Sequence, residues 1–245
     1  MAGKEISLQY ARNIVALKVI PEMEEGSQYY EYMIKQTLQE LLSYIEEVEG
    51  TFKNKLNGGG FIEERRMSTG ERIEHLKPEK FEEYRKYEQV FPQIARYSLL
   101  TSIYSYTEEW SLDACRKAEA ALGLSPTKLD YIQSAKEDGL ESSVKIDFSG
   151  LQQEWQIIND FREVRNCIIH SRGNINNQYY KKGNKLQSLQ AAVGRLTSEG
   201  VSLQQDDIYL EEKVCAEFIK AVSRFFEEIY LQIERKVKAK NAPKK

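Results

Sequence analysis

Cysteine and histidine are scarce in this chain. The three cysteines (Cys115, Cys167, Cys215) are odd in number and widely spaced. That argues against a disulfide framework and a zinc site, and it fits a reducing, cytoplasmic setting. The two histidines, His75 and His170, are too few and too isolated for most metal sites, so no metal and no other cofactor is expected. His75 lies in a charged stretch without a partner motif and is assigned no role. Five prolines in the whole chain leave room for long helices. No run of about 18 apolar residues occurs, so no membrane span is expected. The first thirty residues lack the compact apolar stretch of a secretory signal. No G-x-x-x-x-G-K-[ST] loop is present, which counts against self-contained ATPase or GTPase chemistry. The run Asn57-Gly58-Gly59-Gly60 reads as a linker instead, and no internal repeat is found.

What is present supports a sizeable core. The chain has 245 residues, of which 41% are hydrophobic, enough for one medium domain or one domain with a helical extension. The formal charge of −3 hides an asymmetry. From Glu22 to Glu49 eight Glu face one Lys, a balance of −7; from Phe161 to Arg195 seven Lys or Arg face one Glu, a balance of +6. Opposite local fields steer polyanions or dock one segment on another, and a charge run is also an ordinary solvated surface. From Arg235 to Lys245 the chain carries six basic residues and no acid, ending in a frayed tail around Pro243.

Periodicity predicts a mainly α fold: an up-and-down helical bundle with an N-terminal helical extension and one short β-hairpin. Residues 1–85 form the extension and linker, 86–240 the helical domain and 241–245 the basic tail. Ile34, Leu38, Leu41, Ile45, Val48 and Phe52 recur in steps of three and four and draw one helical stripe, expected to pack inside the fold or on a partner. Residues 61–92 are charged and ambiguous, with Ser68-Thr69-Gly70-Glu71 reading as a capping box. A long helix is expected from Pro92 or Gln93 to Leu122, with Leu100, Ile103, Thr107, Trp110 and Ala114 on one face and Gly123 as its stop. Ser125-Pro126 predicts a shorter helix ending near Gly139. The next helix is expected from Ser149, capped with Gln152, to about Ser171, with Gly173 as a left-handed cap. A helix over about 185–197, a hairpin of Val201–Leu203 with Ile208–Leu210, and a last helix from about Glu211 to Val237 follow. Val214, Phe218, Val222, Phe225, Ile229 and Ile233 draw the core stripe of that last helix.

The segment from Phe161 to Gly173 carries the most chemistry. On a helix at about 100° per residue, Ile157, Phe161, Val164 and Ile168 share a core stripe. Asn166 and His170 lie on one polar face, with Asn159 and Arg162 beside them. Arg165 sits at the edge of the stripe and needs a carboxylate, carbonyl, phosphate or second subunit. A structural salt bridge to Glu108 or Glu109 is one such answer, and a dipole-favoured helix end is the plain reading of His170. Cys167 falls outside the stripe, reactive or buried against another helix. Trp110 and Trp155 read as core or interface residues.

The motif Arg165-Asn166-Cys167-Ile168-Ile169-His170 resembles the R-x(4–6)-H signature of the HEPN superfamily. The asparagine after the arginine and the helix-end Gly173 fit that pattern. The stretch Tyr104-Ser-Tyr-Thr-Glu-Glu-Trp-Ser-Leu112 resembles an aromatic–acidic–leucine pattern of the family's first core helix. The resemblance covers about residues 90–235. It implies a HEPN-like helical bundle that dimerises through the motif face, and a metal-independent endoribonuclease of a defence, toxin–antitoxin or RNA-processing system. It implies catalytic roles for Arg165, Asn166 and His170, with Glu108 and Glu109 as auxiliary candidates. Cleavage without a metal needs a base for the 2′-hydroxyl, an acid for the leaving 5′-oxygen and a donor for the phosphorane. Histidine suits both proton roles, with an ordinary pKa of roughly 6.5, and the arginine fork suits the phosphate. Asn166 either orients His170 or donates to the phosphate. One chain supplies one such histidine, so acid and base together are more easily built from two chains across a two-fold axis.

Arg162, Arg172, Lys181, Lys182 and Lys185 are candidates for holding the RNA backbone, and Tyr179 and Tyr180 for stacking on a base. The expected partners are RNA, a second copy of the chain and an antitoxin or regulatory protein, with no membrane. The alternative is a non-catalytic HEPN-type dimerisation or binding module that recruits a protein or nucleotide-linked partner; a nucleotide-binding regulator is a further reading. The acidic N-terminal segment either shields the basic segment or completes the helical core.

Overall fold

The computed structural model describes residues 29–66, 72–181 and 183–242. The expected capping box at Ser68–Glu71 and the tail around Pro243 lie outside the described residues. The fold is mainly α. A π-helical lead-in, Tyr30–Lys35, opens into helix α1 (Gln36–Gly58). A hairpin follows, of strands β1 (Ile62–Arg66) and β2 (Arg72–Leu76), paired antiparallel from Ile62↔Leu76 to Arg66↔Arg72. The described residues hold two hairpins where the sequence predicts one. The first was not anticipated because its strands are rich in charge, so alternation of apolar and polar residues, the strand signal, is nearly absent. Next come the short α2 (Phe81–Arg85) and a π turn that runs into the long α3 (Phe91–Leu122). A brief α4 (Ile132–Ser134) continues as a π-helix over Ala135–Ser143. Helix α5 (Gln152–Ser171) carries the Arg-Asn-x-x-x-His motif. Helix α6 (Lys185–Arg195), hairpin β3 (Val201–Gln204) and β4 (Asp207–Leu210), and the last helix α7 (Val214–Asn241) complete the chain.

One core binds the helices. Helices α3 and α7 pack along each other, and α5 packs on both. The α7 stripe is buried as its spacing predicts: Val214, Phe218, Val222, Phe225, Ile229 and Ile233 are all core residues. Phe161 of α5 stacks on Phe218 with ring centroids 4.2 Å apart. Trp110 is buried against Phe226, and Trp155 stacks on Phe225 at 5.7 Å. Ile34, Leu38 and Ile45 join this same core, so the α1 stripe packs inside the chain. Helix α1 lies on α3 and α7, and the described part of the N-terminal segment completes the bundle.

Two local expectations are corrected. No helix starts at Ser125-Pro126. Glu119 instead accepts from the Thr127 amide (3.0 Å) and hydroxyl and holds the chain as an extended turn until Ile132. The following helix passes Gly139, because a glycine there lets the backbone meet Cys115: an added Cβ would sit 2.6 Å from Cys115 Sγ. Ser149 does not cap α5. Its amide donates to Asp147 Oδ1 (2.8 Å), and the helix begins three residues later, after Leu151.

A buried ion pair joins α1, α3 and β4. Arg96 donates through Nε and Nη2 to the two oxygens of Glu49, at 2.7 and 2.8 Å, and through Nη1 to Leu210 O at 2.8 Å. Gln93 pairs with both backbone groups of Leu210. Burial costs both charges their hydration, and the bidentate geometry with the carbonyl contact offsets that cost. Glu49→Ala leaves the guanidinium buried and unpaired, and is expected to lose about 3–5 kcal/mol of stability. The double change Glu49→Leu with Arg96→Met is expected to lose much less. Urea denaturation of both variants checks this; equal losses would contradict it.

All three cysteines are free and buried. Burial pushes the Cys115 and Cys215 thiols up to about 12. An unfolded thiol ionises near pH ~8.5. The stability tied to these protons is therefore complete below about pH 8.5 and is lost as pH rises from there toward about 12. The slope approaches about 1.4 kcal/mol per pH unit for each thiol. Denaturation midpoints between pH 8 and 10 measure it. Replacing both cysteines by alanine is expected to flatten the curve, and an unchanged curve in that variant would refute the assignment.

Candidate functional site

The rotation of α5 about its axis decides which residues face solvent. Ile158, Phe161, Val164 and Cys167 are fully buried, while Ile157 and Ile168 are only partly so. The buried stripe is thus turned from the expected one, toward Cys167. The shift follows from two-sided packing, since α5 meets α3 on one flank and α7 on the other. Arg162, Asn166 and His170, one per turn, then line the outer face.

The helix ends by geometry that places His170. Arg172 and Gly173 both take left-handed backbone (φ 56° and 87°). The Gly173 amide reaches Cys167 O (3.1 Å) and the Arg172 amide Ile168 O (2.9 Å), closing the last carbonyls. Gly173 also packs against the Tyr97 hydroxyl, where a side chain would clash. The chain then pairs with the second hairpin, Ile208 N donating to Gly173 O at 2.9 Å. It returns through a 3-10 turn, Gln178–Lys181, set by the Tyr179 amide on Asn177 Oδ1 (3.0 Å).

That turn lays Tyr179 on the motif. The His170 imidazole is exposed and stacks on the Tyr179 ring, with centroids 4.6 Å apart and planes 23° apart. Lys185 Nζ lies 3.7 Å from the centre of the same ring. Tyr180 meets Tyr179 edge-on at 5.1 Å. Arg165 is half-buried. Its guanidinium lies over Tyr104 (5.5 Å) and donates through Nη1 to Asn166 Oδ1 (3.2 Å), while its buried Nε meets no acceptor among the described residues. Burial, first, and the Glu108 charge push the Tyr104 hydroxyl up, and the charges of Arg162 and Arg165 oppose them.

A cleft of about 520 Å³ opens beside the motif, lined by Arg162, Glu163, Asn166, Tyr179, Tyr180, Asn184, Lys185 and Ser188. Its far wall, α6, is held by Asp160. That carboxylate accepts from Arg195 Nε (2.8 Å) and Nη2 (2.7 Å), and from Gln156 Nε2 (2.9 Å). Asp160 and Arg195, like Asn184 and Ser188, were not singled out in the sequence. The one signal was an aspartate next to the core residue Phe161, on a face where a lone carboxylate needs a partner.

Several sequence assignments change. Tyr180 is 2% exposed and belongs to the core; its hydroxyl faces the Cys167 thiol without a well-formed hydrogen bond, so it offers no ring to a base. Cys167 is buried, and burial raises its thiol above the ordinary value. Arg172 lines a different groove, of about 710 Å³, with Tyr97, Gln205 and Asp207. Its left-handed backbone aims it away from the Lys185 cleft. Arg165 makes no ion pair with Glu108 or Glu109 among the described residues. Glu109 instead acts on Tyr29, whose hydroxyl donates to Asp113. Lys182 lies outside the described residues, and of Lys181 the backbone alone is described. Arg162, Asn166, Tyr179 and Lys185 are brought to one cleft, with His170 stacked at its edge.

No protein-family model, curated protein or solved structure matches this chain.

The stacked geometry is measurable. The ring current of Tyr179 is expected to move the His170 imidazole protons upfield relative to a Tyr179→Leu variant. Identical shifts in the two proteins would show that the rings are not stacked in solution.

Proposed function

We propose that this chain is a metal-independent endoribonuclease of the HEPN type that acts as a homodimer. The observation that carries the reading is the outer face of α5. It presents Asn166 and an exposed His170 one turn apart, with Arg165 hydrogen-bonded to Asn166, beside a cleft holding Arg162 and Lys185. In this reading one imidazole takes the 2′-hydroxyl proton and that oxygen attacks the adjacent phosphorus. The 5′-oxygen leaves and takes its proton from the imidazole of the second copy, which enters the step protonated as imidazolium. The product ends in a 2′,3′-cyclic phosphate. Arg165 supplies charge to the phosphorane, and its unpaired Nε gains an acceptor when the side chain swings to the phosphate. Asn166 holds Arg165 until then. Glu108, beside Tyr104, stays an auxiliary candidate; Glu109 faces another side of α3. A toxin–antitoxin or defence system, with an antitoxin or regulatory protein as partner, is the setting in which such an activity would be used.

Two observations favour the alternative, a non-catalytic dimerisation or binding module. Ile169 is 45% exposed within the motif, and the His170 ring is already covered on one face. In that case the motif residues serve a protein contact.

The deciding experiment incubates mixed RNA with the protein and a chelator. The wild-type protein is expected to cleave and to leave cyclic phosphate ends. His170→Ala and Arg165→Ala are each expected to lose about a hundred-fold or more. Dilution below the dimer constant is expected to abolish cleavage. Equal cleavage by all three proteins, or by none, refutes the nuclease. If instead Ile169→Asp changes the sedimenting species while no RNA is cut, the binding module is the correct reading.

A further inference from the structure

The cleft between α5 and α6 has a composition the motif alone does not require. Beside the buried Tyr180 it combines one half-buried aromatic ring, two cations, one carboxylate, two amides and a hydroxyl: Tyr179, Arg162, Lys185, Glu163, Asn166, Asn184 and Ser188. We infer that this cleft and the adjoining Tyr179 face form a subsite for one nucleotide of single-stranded RNA: the base stacks on Tyr179 in place of the His170 imidazole, beside the cleft, and the phosphate lies in the cleft. The inference rests on the proposed function only for the choice of RNA as ligand.

Three observations carry it. First, Tyr179 is a prepared platform. The buried Tyr180 braces it edge-on, and Asn177 fixes its backbone on the turn. A ring held in this way offers a face with little loss of side-chain freedom on binding. Second, that face is already in use as a stacking surface. His170 lies nearly parallel on it, as a flat heterocycle would, and His170 is exposed and so free to leave. A nucleobase has a larger π-surface than imidazole and gains more from the same ring. Third, the surroundings suit a sugar-phosphate. Lys185, which lines the cleft, stands over the ring and Arg162 opens into the cleft, where among the described residues it is paired with its neighbour Glu163 at 3.5 Å. A phosphate exchanges for Glu163 on Arg162 and lies within reach of Lys185. The amides of Asn166 and Asn184 and the Ser188 hydroxyl supply donors and acceptors to base edges or a 2′-hydroxyl.

The exchange has a consequence for His170. While the site is empty the imidazole rests on Tyr179. When a base takes that surface the imidazole swings free at the helix end, next to Asn166. Ligand occupancy and release of the imidazole become one event.

The test uses the full chain and a six-nucleotide 2′-deoxy oligonucleotide, which cannot be cleaved through a 2′-hydroxyl, with chelator present. Fluorescence anisotropy reads binding. Tyr179→Leu is expected to weaken it at least about ten-fold, and Tyr179→Phe to restore it, since the stack needs the ring and not the hydroxyl. Lys185→Gln is expected to weaken it several-fold and to lower the salt dependence by about one phosphate contact. Lys53→Gln, a surface ion-pair residue on α1, is the control expected to change nothing. In the wild-type protein, saturating oligonucleotide is expected to move the His170 ring protons downfield. Binding equal in Tyr179→Leu and wild type, or His170 protons unmoved at saturation, overturns the subsite whatever the folding of the variants. Two further outcomes separate this inference from the nuclease reading. RNA cleavage that is unaffected by Tyr179→Leu keeps the nuclease and removes the subsite. Tyr179-dependent binding with no cleavage of RNA keeps the subsite and removes the nuclease. A surface that binds a peptide but no oligonucleotide overturns it as well.

Discussion

The rotational setting of α5 is the constraint on which the site depends. Phe161 is fully buried and stacks on Phe218 of α7, and Ile158, Val164 and Cys167 extend that contact along the helix. A helix with these residues inward has no choice about Arg162, Asn166 and His170. They fall one per turn on the outside. A rotation of α5 by one residue would bury an imidazole or a guanidinium and would expose Phe161, at a cost of several kcal/mol for the charge alone. Packing of apolar side chains therefore fixes the polar face.

The same helix shows how charge is managed inside the bundle. Asp160 lies one residue from Phe161, yet its carboxylate is nearly inaccessible, because Arg195 covers it with two hydrogen bonds and Gln156 adds a third. This pair clamps α6 to α5 and so builds the far wall of the cleft. Arg96 and Glu49 do the equivalent work on the other flank, tying α1 and the second hairpin to α3. In both places a charge that would be costly alone is matched in bidentate geometry. The cleft and the helix end that bears His170 are held by ion pairs at a distance from the chemistry they would support.

At the motif two side chains lie across aromatic rings. Arg165 lies across Tyr104 with one nitrogen on Asn166, and His170 lies across Tyr179. Each is near a surface that a phosphodiester or a base would contest. The buried, unpaired Nε of Arg165 marks a donor whose desolvation is not repaid in this arrangement. Such a donor favours any rearrangement that brings it an acceptor.

The helical class, the span of the long α3 and the glycine at the end of the motif helix were legible in the chain, whereas α5 begins three residues after the expected Ser149 and α7 runs from Val214 to Asn241 instead of from Glu211 to Val237. The sequence by itself also determined that Asn166 and His170 share a face. These are consequences of local rules: apolar residues in steps of three and four, and glycine where φ turns positive. The second hairpin was legible for the same reason. Only the tertiary structure decided the rest. Tyr180 is buried in the core while Tyr179, on a turn set by Asn177, is half-buried and meets it edge-on. Arg172 left the basic cluster because the left-handed backbone that ends α5 carries it to another groove. Asp160 found Arg195, thirty-five residues away, and no periodicity announces a contact of that kind. Spacing along a chain fixes which face a residue occupies; what stands opposite that face depends on how distant segments pack.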